Sequence, residues 1–211
     1  MLTVWSVCNG DKYDDYCVQR LAREVGRNLT IPHEFVCVTD RDIEGVKCRE
    51  MPDAYPGWWN KVQLFREGWP TEQNLYLDLD VVITGSLDAM VMRYRNTSCA
   101  MPNNWAASGH GGCQSSVMMW TNNYNVQQIY DLFDPAIAHW PPINQPGTLW
   151  GDQEWITTLR DSDRVNVVPI TEGIYSYKYH VRNQALPDDA RVIIFHGDPK
   201  PSNCRESWYQ W

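Results

Sequence analysis

The sequence predicts an α/β protein with a mainly parallel central sheet flanked by helices. Three observations carry this expectation. The chain opens strand–helix–strand, its later apolar runs alternate with segments of helical spacing, and no repeat or low-complexity linker divides its 211 residues. That length suits one well-buried α/β domain, so a single domain over 1–211 is expected.

The elements follow in order. Leu2 to Cys8 is an apolar run of strand length, closed by the turn signal Asn9-Gly10-Asp11. From Tyr13 to Asn28, Tyr16, Cys17, Leu21 and Val25 recur at helical spacing. Pro32 leads into a second strand, Phe35 to Val38, which stops at Thr39-Asp40. Positions 41–59 are punctuated by proline and glycine and read as loop. Val62, Leu64 and Phe65 predict a short helix over Lys61 to Glu67, and Leu75 to Leu77 a strand that ends at Asp78. Ser86 to Arg93 reads as a helix capped by Ser86, and Ser98 to Met101 as a strand. A loop over Asn103 to Gly112 then precedes the apolar strand Ser116 to Trp120. Asn122-Asn123 opens a helix running to Phe133. Four prolines between Asp134 and Trp150 preclude regular structure there. Asp152 to Leu159 is helical, Val165 to Val168 a short strand, and Arg191 to Phe195 the last strand, ending at His196.

Composition removes several function classes. A formal net charge of −8 argues against nucleic acid as a partner, although a metal and local cations can still manage the phosphates of a nucleotide. No apolar run approaches the roughly 18 residues that span a bilayer. The N-terminus reads as a first strand and not as a secretory signal. Seven cysteines without a Cys-x-x-Cys pair argue against zinc and a disulfide framework, and a cytoplasmic location is expected. Tryptophan is abundant at 11 residues, and Trp58, Trp59, Trp105, Trp140 and Trp150 lie beside Gly, Pro or Asn in loop-like segments, where amphipathic rings suit a carbohydrate surface.

Four clusters fall at strand ends or loop bases. Asp78-Leu79-Asp80 closes an apolar run. Two ionised carboxylates inside a core would be expensive, whereas at the carboxyl edge of a sheet they face the ligand side and suit Mg²⁺ or Mn²⁺. His196-Gly197-Asp198-Pro199-Lys200-Pro201 follows the last strand and offers an imidazole for a metal and a point charge for a phosphate. Lys61 stands at a predicted helix start, unfavourable against the helix dipole unless an anion is near. Gly151-Asp152-Gln153-Glu154 enters a helix after the proline-rich loop, where Asp152 also suits a simple N-cap.

Together these residues resemble the GT-A-fold glycosyltransferases, specifically the glycogenin-like family 8 enzymes and their small bacterial and phage-type relatives, over Val4 to Pro201. The resemblance implies a Rossmann-like GT-A fold. It implies Mn²⁺ (or Mg²⁺) on Asp78, Asp80 and His196, binding the diphosphate of a nucleotide-sugar, with UDP-hexose the first expectation. Lys61, Gly197 and Lys200 match positions near the diphosphate, and Gln114-Ser115 a stretch that contacts the donor sugar, with glutamine replacing asparagine. Asp152 and Gln153 match the pair under the reacting sugar face. Val7, Asn9 and Asp40 would hold base and ribose. The implied reaction moves a hexosyl unit to a carbohydrate or glycoconjugate acceptor with retention. His196 departs from the pattern, because it abuts Gly197 where family 8 enzymes have two intervening residues.

Two other readings compete. Leu77-Asp78-Leu79-Asp80-Val81 resembles the nucleophile motif of haloacid-dehalogenase-type phosphatases, but those carry it on the first strand, and their later acidic pair meets Trp155 and Ile156 here. A non-catalytic carbohydrate-binding module would use the loop tryptophans but leaves Asp78, Asp80 and Lys200 unexplained.

Overall fold

A computed structural model describes residues 1–105, 112–139 and 148–209. It is an α/β structure around a seven-stranded sheet of order β3-β2-β1-β4-β7-β6-β8, with a three-stranded ribbon β5-β10-β9 beside it. The strands are β1 (Leu2–Cys8), β2 (His33–Thr39), β3 (Lys47–Glu50), β4 (Gln73–Leu77), β5 (Val81–Ile83), β6 (Cys99–Pro102), β7 (Val117–Thr121), β8 (Val168–Ile170), β9 (Ile174–Ser176) and β10 (Val192–Ile194). The helices are α1 (Asp15–Asn28), α2 (Asp88–Tyr94), α3 (Tyr124–Asp131) and α4 (Asp152–Asp161).

The main sheet is mainly parallel, as expected: β1 runs parallel to β2 and β4, β2 to β3, and β6 to β8. Only β7 runs against its neighbours β4 and β6. One face packs α1 through Val18, Leu21 and Val25, with Val4, Leu75 and Met119 from the strands. The other packs Trp5, Phe65, Tyr76 and Trp120 against Val126, Ile129 and Ile156 from α3 and α4. Both faces are covered, so β4 is buried at all but its first position and closes on the apolar run Leu75 to Leu77, and the first charged residue after it is Asp78, just past its end.

Several expectations shift. Ser86 is not the N-cap of α2. Leu87 holds that place, and the Ser86 hydroxyl accepts the Asp88 N–H instead. The helix over 61–67 is a 3₁₀ segment, Gly57–Phe65, that begins four residues earlier. Part of the loop over 41–59 is strand β3, whose charged, half-exposed residues carry no apolar run. The strand over Val165 to Val168 lies at Val168–Ile170. β9 and the single π-turn after it, Tyr177–Val181, went unrecognised because three residues are too few to show a period. Trp140 and most of the loop 103–112 lie outside the described residues. No described helix is long and apolar enough to cross a membrane.

Candidate active site

Where β1 and β4 end at the carboxyl edge of the sheet, a cavity of about 500 Å³ opens. Six separate stretches line it: Val7 to Tyr13, Gly57 to Lys61, Tyr76 to Asp80, Gln114 to Ser116, Trp150 to Gln153, and His196 to Lys200. Twelve of the thirteen residues expected to form a site line it, from Val7, Asn9 and Lys61 through Gln114 and Ser115 to Gly197 and Lys200. Asp40 does not. It stands just behind the wall, accepting the Gly10 N–H at 2.9 Å.

The paired acids occupy a tight turn between β4 and β5. Asp78 N–H donates to Ser116 C=O at 2.9 Å, and Val81 N–H to Asp78 C=O at 3.3 Å, so the chain reverses and projects both carboxylates forward. Phe195 N–H donates to Asp80 C=O, extending the β5–β10 ribbon and bringing the His196 loop against the acids. Arg20 of α1 clamps the turn from behind, donating to Leu79 C=O at 2.8 Å and Val81 C=O at 3.0 Å. Its neighbour Glu24 accepts the Ile83 N–H.

The first Asp accepts from Tyr76 OH at 2.5 Å and faces Lys61 Nζ at 3.6 Å. The second is held by Tyr13 OH at 2.7 Å and Lys200 Nζ at 2.6 Å. Lys61 is buried. Its ammonium donates to Ser115 Oγ at 2.8 Å and sits 3.0 Å from Asp152 Oδ2, an oxygen with no aligned hydrogen-bond donor. Burial pulls the Lys61 pKa down, but Asp152 and Asp78 outweigh it and the net displacement is upward, so the ammonium stays charged. Burial pushes the Asp78 carboxyl up, yet Lys61 and the Ser116 and Tyr76 hydrogen bonds hold it below the usual range. For Asp152, burial outweighs Lys61 and the pKa is raised.

The donor set of Asp78, Asp80 and His196 suits a hard divalent cation in kind, and all three face one cavity. Their arrangement does not gather them: among the described residues no three metal-ligating side chains stand close enough to share an ion. Asp80 is engaged by Lys200, and His196 Nε2 lies 2.6 Å from Ser176 Oγ. In kind these residues would fit Mn²⁺ or Mg²⁺, but holding an ion would require Asp80 to exchange Lys200 for it.

The structure adds residues that sequence reasoning missed. Lys12, its pKa lowered by burial and by Lys200, lines the cavity beside Tyr13. Trp58 and Trp150, already singled out in the sequence as loop tryptophans, form one rim: the Trp58 indole donates to Trp150 C=O at 2.8 Å, and a Cβ at Gly151 would overlap that indole. Of the two missed residues, Lys12 and Tyr13, Tyr13 carried a usable signal, being an aromatic in the turn after the first strand.

Strand order, acids at the sheet edge and a last-strand loop turned onto them define a glycosyltransferase fold of the GT-A type. Among solved structures, the chain is similar to the galactosyltransferase LgtC in complex with donor and acceptor sugar analogs. The TM-score is 0.62 at 13% identity, over 96% of this chain and 90% of that one. It is also similar to the glycosyltransferase GlyE of Streptococcus pneumoniae, at TM-score 0.64 and 12% identity over 95% of this chain, which spans 56% of GlyE. At such identities the likeness is one of fold. No protein-family model and no curated protein matches the sequence.

Proposed function

We propose that the cavity binds a nucleotide-diphosphate sugar, UDP-hexose in the first instance, and transfers its hexosyl unit to a hydroxyl of a carbohydrate or glycoconjugate acceptor, with retention. The observation that carries this reading is the convergence of Lys61, Asp78, Asp80, Asp152, His196 and Lys200, from distant parts of the chain, on one cavity at the sheet edge. We read 1–211 as one catalytic domain, and the seven free thiols as fitting a reducing cytoplasm.

Mn²⁺ or Mg²⁺ on Asp78 and Asp80, with His196 adjacent, would supply charge neutralisation for the diphosphate. The chain's own groups do the rest. Lys200, released from Asp80, and Lys61 present fixed positive charge to the leaving phosphates. Gln114 and Ser115 bind hydroxyls of the donor sugar, while Val7 and Asn9 hold the nucleoside and Asp40 supports their turn from behind through the Gly10 N–H. Asp152 and Gln153 face the sugar from below and stabilise positive charge at the anomeric carbon. The bond from that carbon to the phosphate oxygen breaks, a bond to the acceptor oxygen forms on the same face, and the departing phosphate oxygen takes the acceptor's proton. Trp58 and Trp150 form the acceptor-side rim, their rings suited to a sugar face.

Incubation with a panel of UDP-, GDP-, CDP- and ADP-sugars, with Mn²⁺ or with excess chelator, tests this. Metal-dependent release of one nucleoside diphosphate, abolished in the Asp78→Ala/Asp80→Ala double variant, is expected. Release that persists in chelator or in the double variant overturns the metal assignment, and release from no donor overturns the transferase reading.

A further inference from the structure

We propose that Arg41 is the positioning residue of the nucleoside side of this cavity, an inference that rests on the donor reading above. A guanidinium carries five N–H donors in a rigid planar fork and no acceptor. At Arg41 all five contacts are made. Nε donates to Asp15 Oδ1 at 2.9 Å. Nη1 donates to Gly10 C=O at 3.0 Å and Asp40 Oδ1 at 3.2 Å, and Nη2 to Tyr13 C=O at 2.8 Å and Cys8 Sγ at 3.4 Å.

Four of these acceptors span the end of β1, the turn after it and the first residue of α1. The fifth, Asp40, accepts the turn's Gly10 N–H through its other oxygen. The turn so held carries Asn9, Lys12 and Tyr13, all lining the cavity. Tyr13 is thereby fixed at both ends, its carbonyl by Arg41 and its hydroxyl by Asp80.

Two features separate positioning from mere stabilisation. The Arg41 side chain is 32% exposed, and ion pairs at such a rim add little to global stability. Its contacts also converge on the stretch that faces the nucleoside and on none of the groups around the buried Lys61. Loss of the fork should loosen the wall beside Asn9 most and disturb the phosphate side far less, because Lys200 still holds Asp80 at 2.6 Å when Tyr13 shifts. Lysine, a point charge with three donors, cannot reproduce the fork.

The experiment is calorimetric titration of wild type, Arg41→Lys and Arg41→Gln with UDP and separately with inorganic pyrophosphate, both with Mn²⁺. The expected result is a Kd for UDP raised tenfold or more, a pyrophosphate Kd within twofold of wild type, and a donor KM that rises while kcat stays within threefold. Unchanged UDP affinity, or equal weakening of both ligands, overturns the positioning role. Wild type that binds none of UDP, GDP, CDP or ADP overturns the donor reading itself, an outcome visible without any variant. Should the Arg41 variants fail to fold, Asp15→Asn removes one charged arm at an exposed position. A two- to fivefold loss in UDP affinity with pyrophosphate unchanged supports the proposal, and no loss overturns it.

Discussion

The two sides of the cavity handle charge in opposite ways. On the side formed by the turn after β1, Asp15, Asp40 and Arg41 pair at the rim, with side chains between 32% and 49% exposed. On the side formed by α4, Lys61 and Asp152 are almost fully buried and depend on each other and on Asp78 for neutralisation. Water can solvate a rim charge whose partner is removed. It cannot reach a buried one, so the same chemistry is locally replaceable at the rim and mutually obligatory in the interior.

Lys61→Met tests that contrast most severely. Leaving Asp152 buried without its cation should lower the unfolding free energy by about 3–5 kcal/mol in urea denaturation, and Lys61→Met/Asp152→Leu should recover most of it. A loss below about 1 kcal/mol would mean that the two sides do not differ. Asp152→Asn keeps shape and removes a buried charge, so under the proposed transfer turnover should fall about 10²–10³-fold, the usual loss for one preorganised electrostatic contact.

A smaller effect is expected with pH. Burial holds His180 below its ordinary pKa, so the unfolded chain takes up its proton first. The stability contributed by the neutral ring is full above the unfolded value of about 6.5 and is lost as pH falls through the folded one. The thermal midpoint should drop between pH 7.5 and pH 5, and His180→Asn should flatten that slope. Smallest of all, Asp40→Asn should change unfolding free energy by no more than about 1 kcal/mol, because its partners stay solvated.

The same contrast explains what the sequence disclosed. β1, α1, β2, β4, β7, α3 and α4 lie close to where apolar spacing predicts, because each has a long period and at least one buried face. The strand ends follow, and with them Asp78 and His196, because a charge after an apolar run marks an edge. Lys61 was legible as a cation at a helix start, although its helix is 3₁₀ and begins at Gly57. What no local pattern encodes is pairing over distance. Asp80 with Lys200 joins residues 120 apart, Lys61 with Ser115 residues 54 apart, and the Arg41 fork reaches back to residues 8–15. β3 and β9 escaped for the opposite reason, β3 being short, charged and exposed at both ends and β9 too short to show a period.

The ribbon of β5 and β10 has a temporal corollary. One half of the charged centre is made early in synthesis and the other half only with residues 192–200, which dock beside the acids by antiparallel pairing. A nascent chain halted before that last strand can shape its main sheet yet has no Lys200 to set against Asp80. The charged centre is therefore completed only as a late event in the making of each molecule.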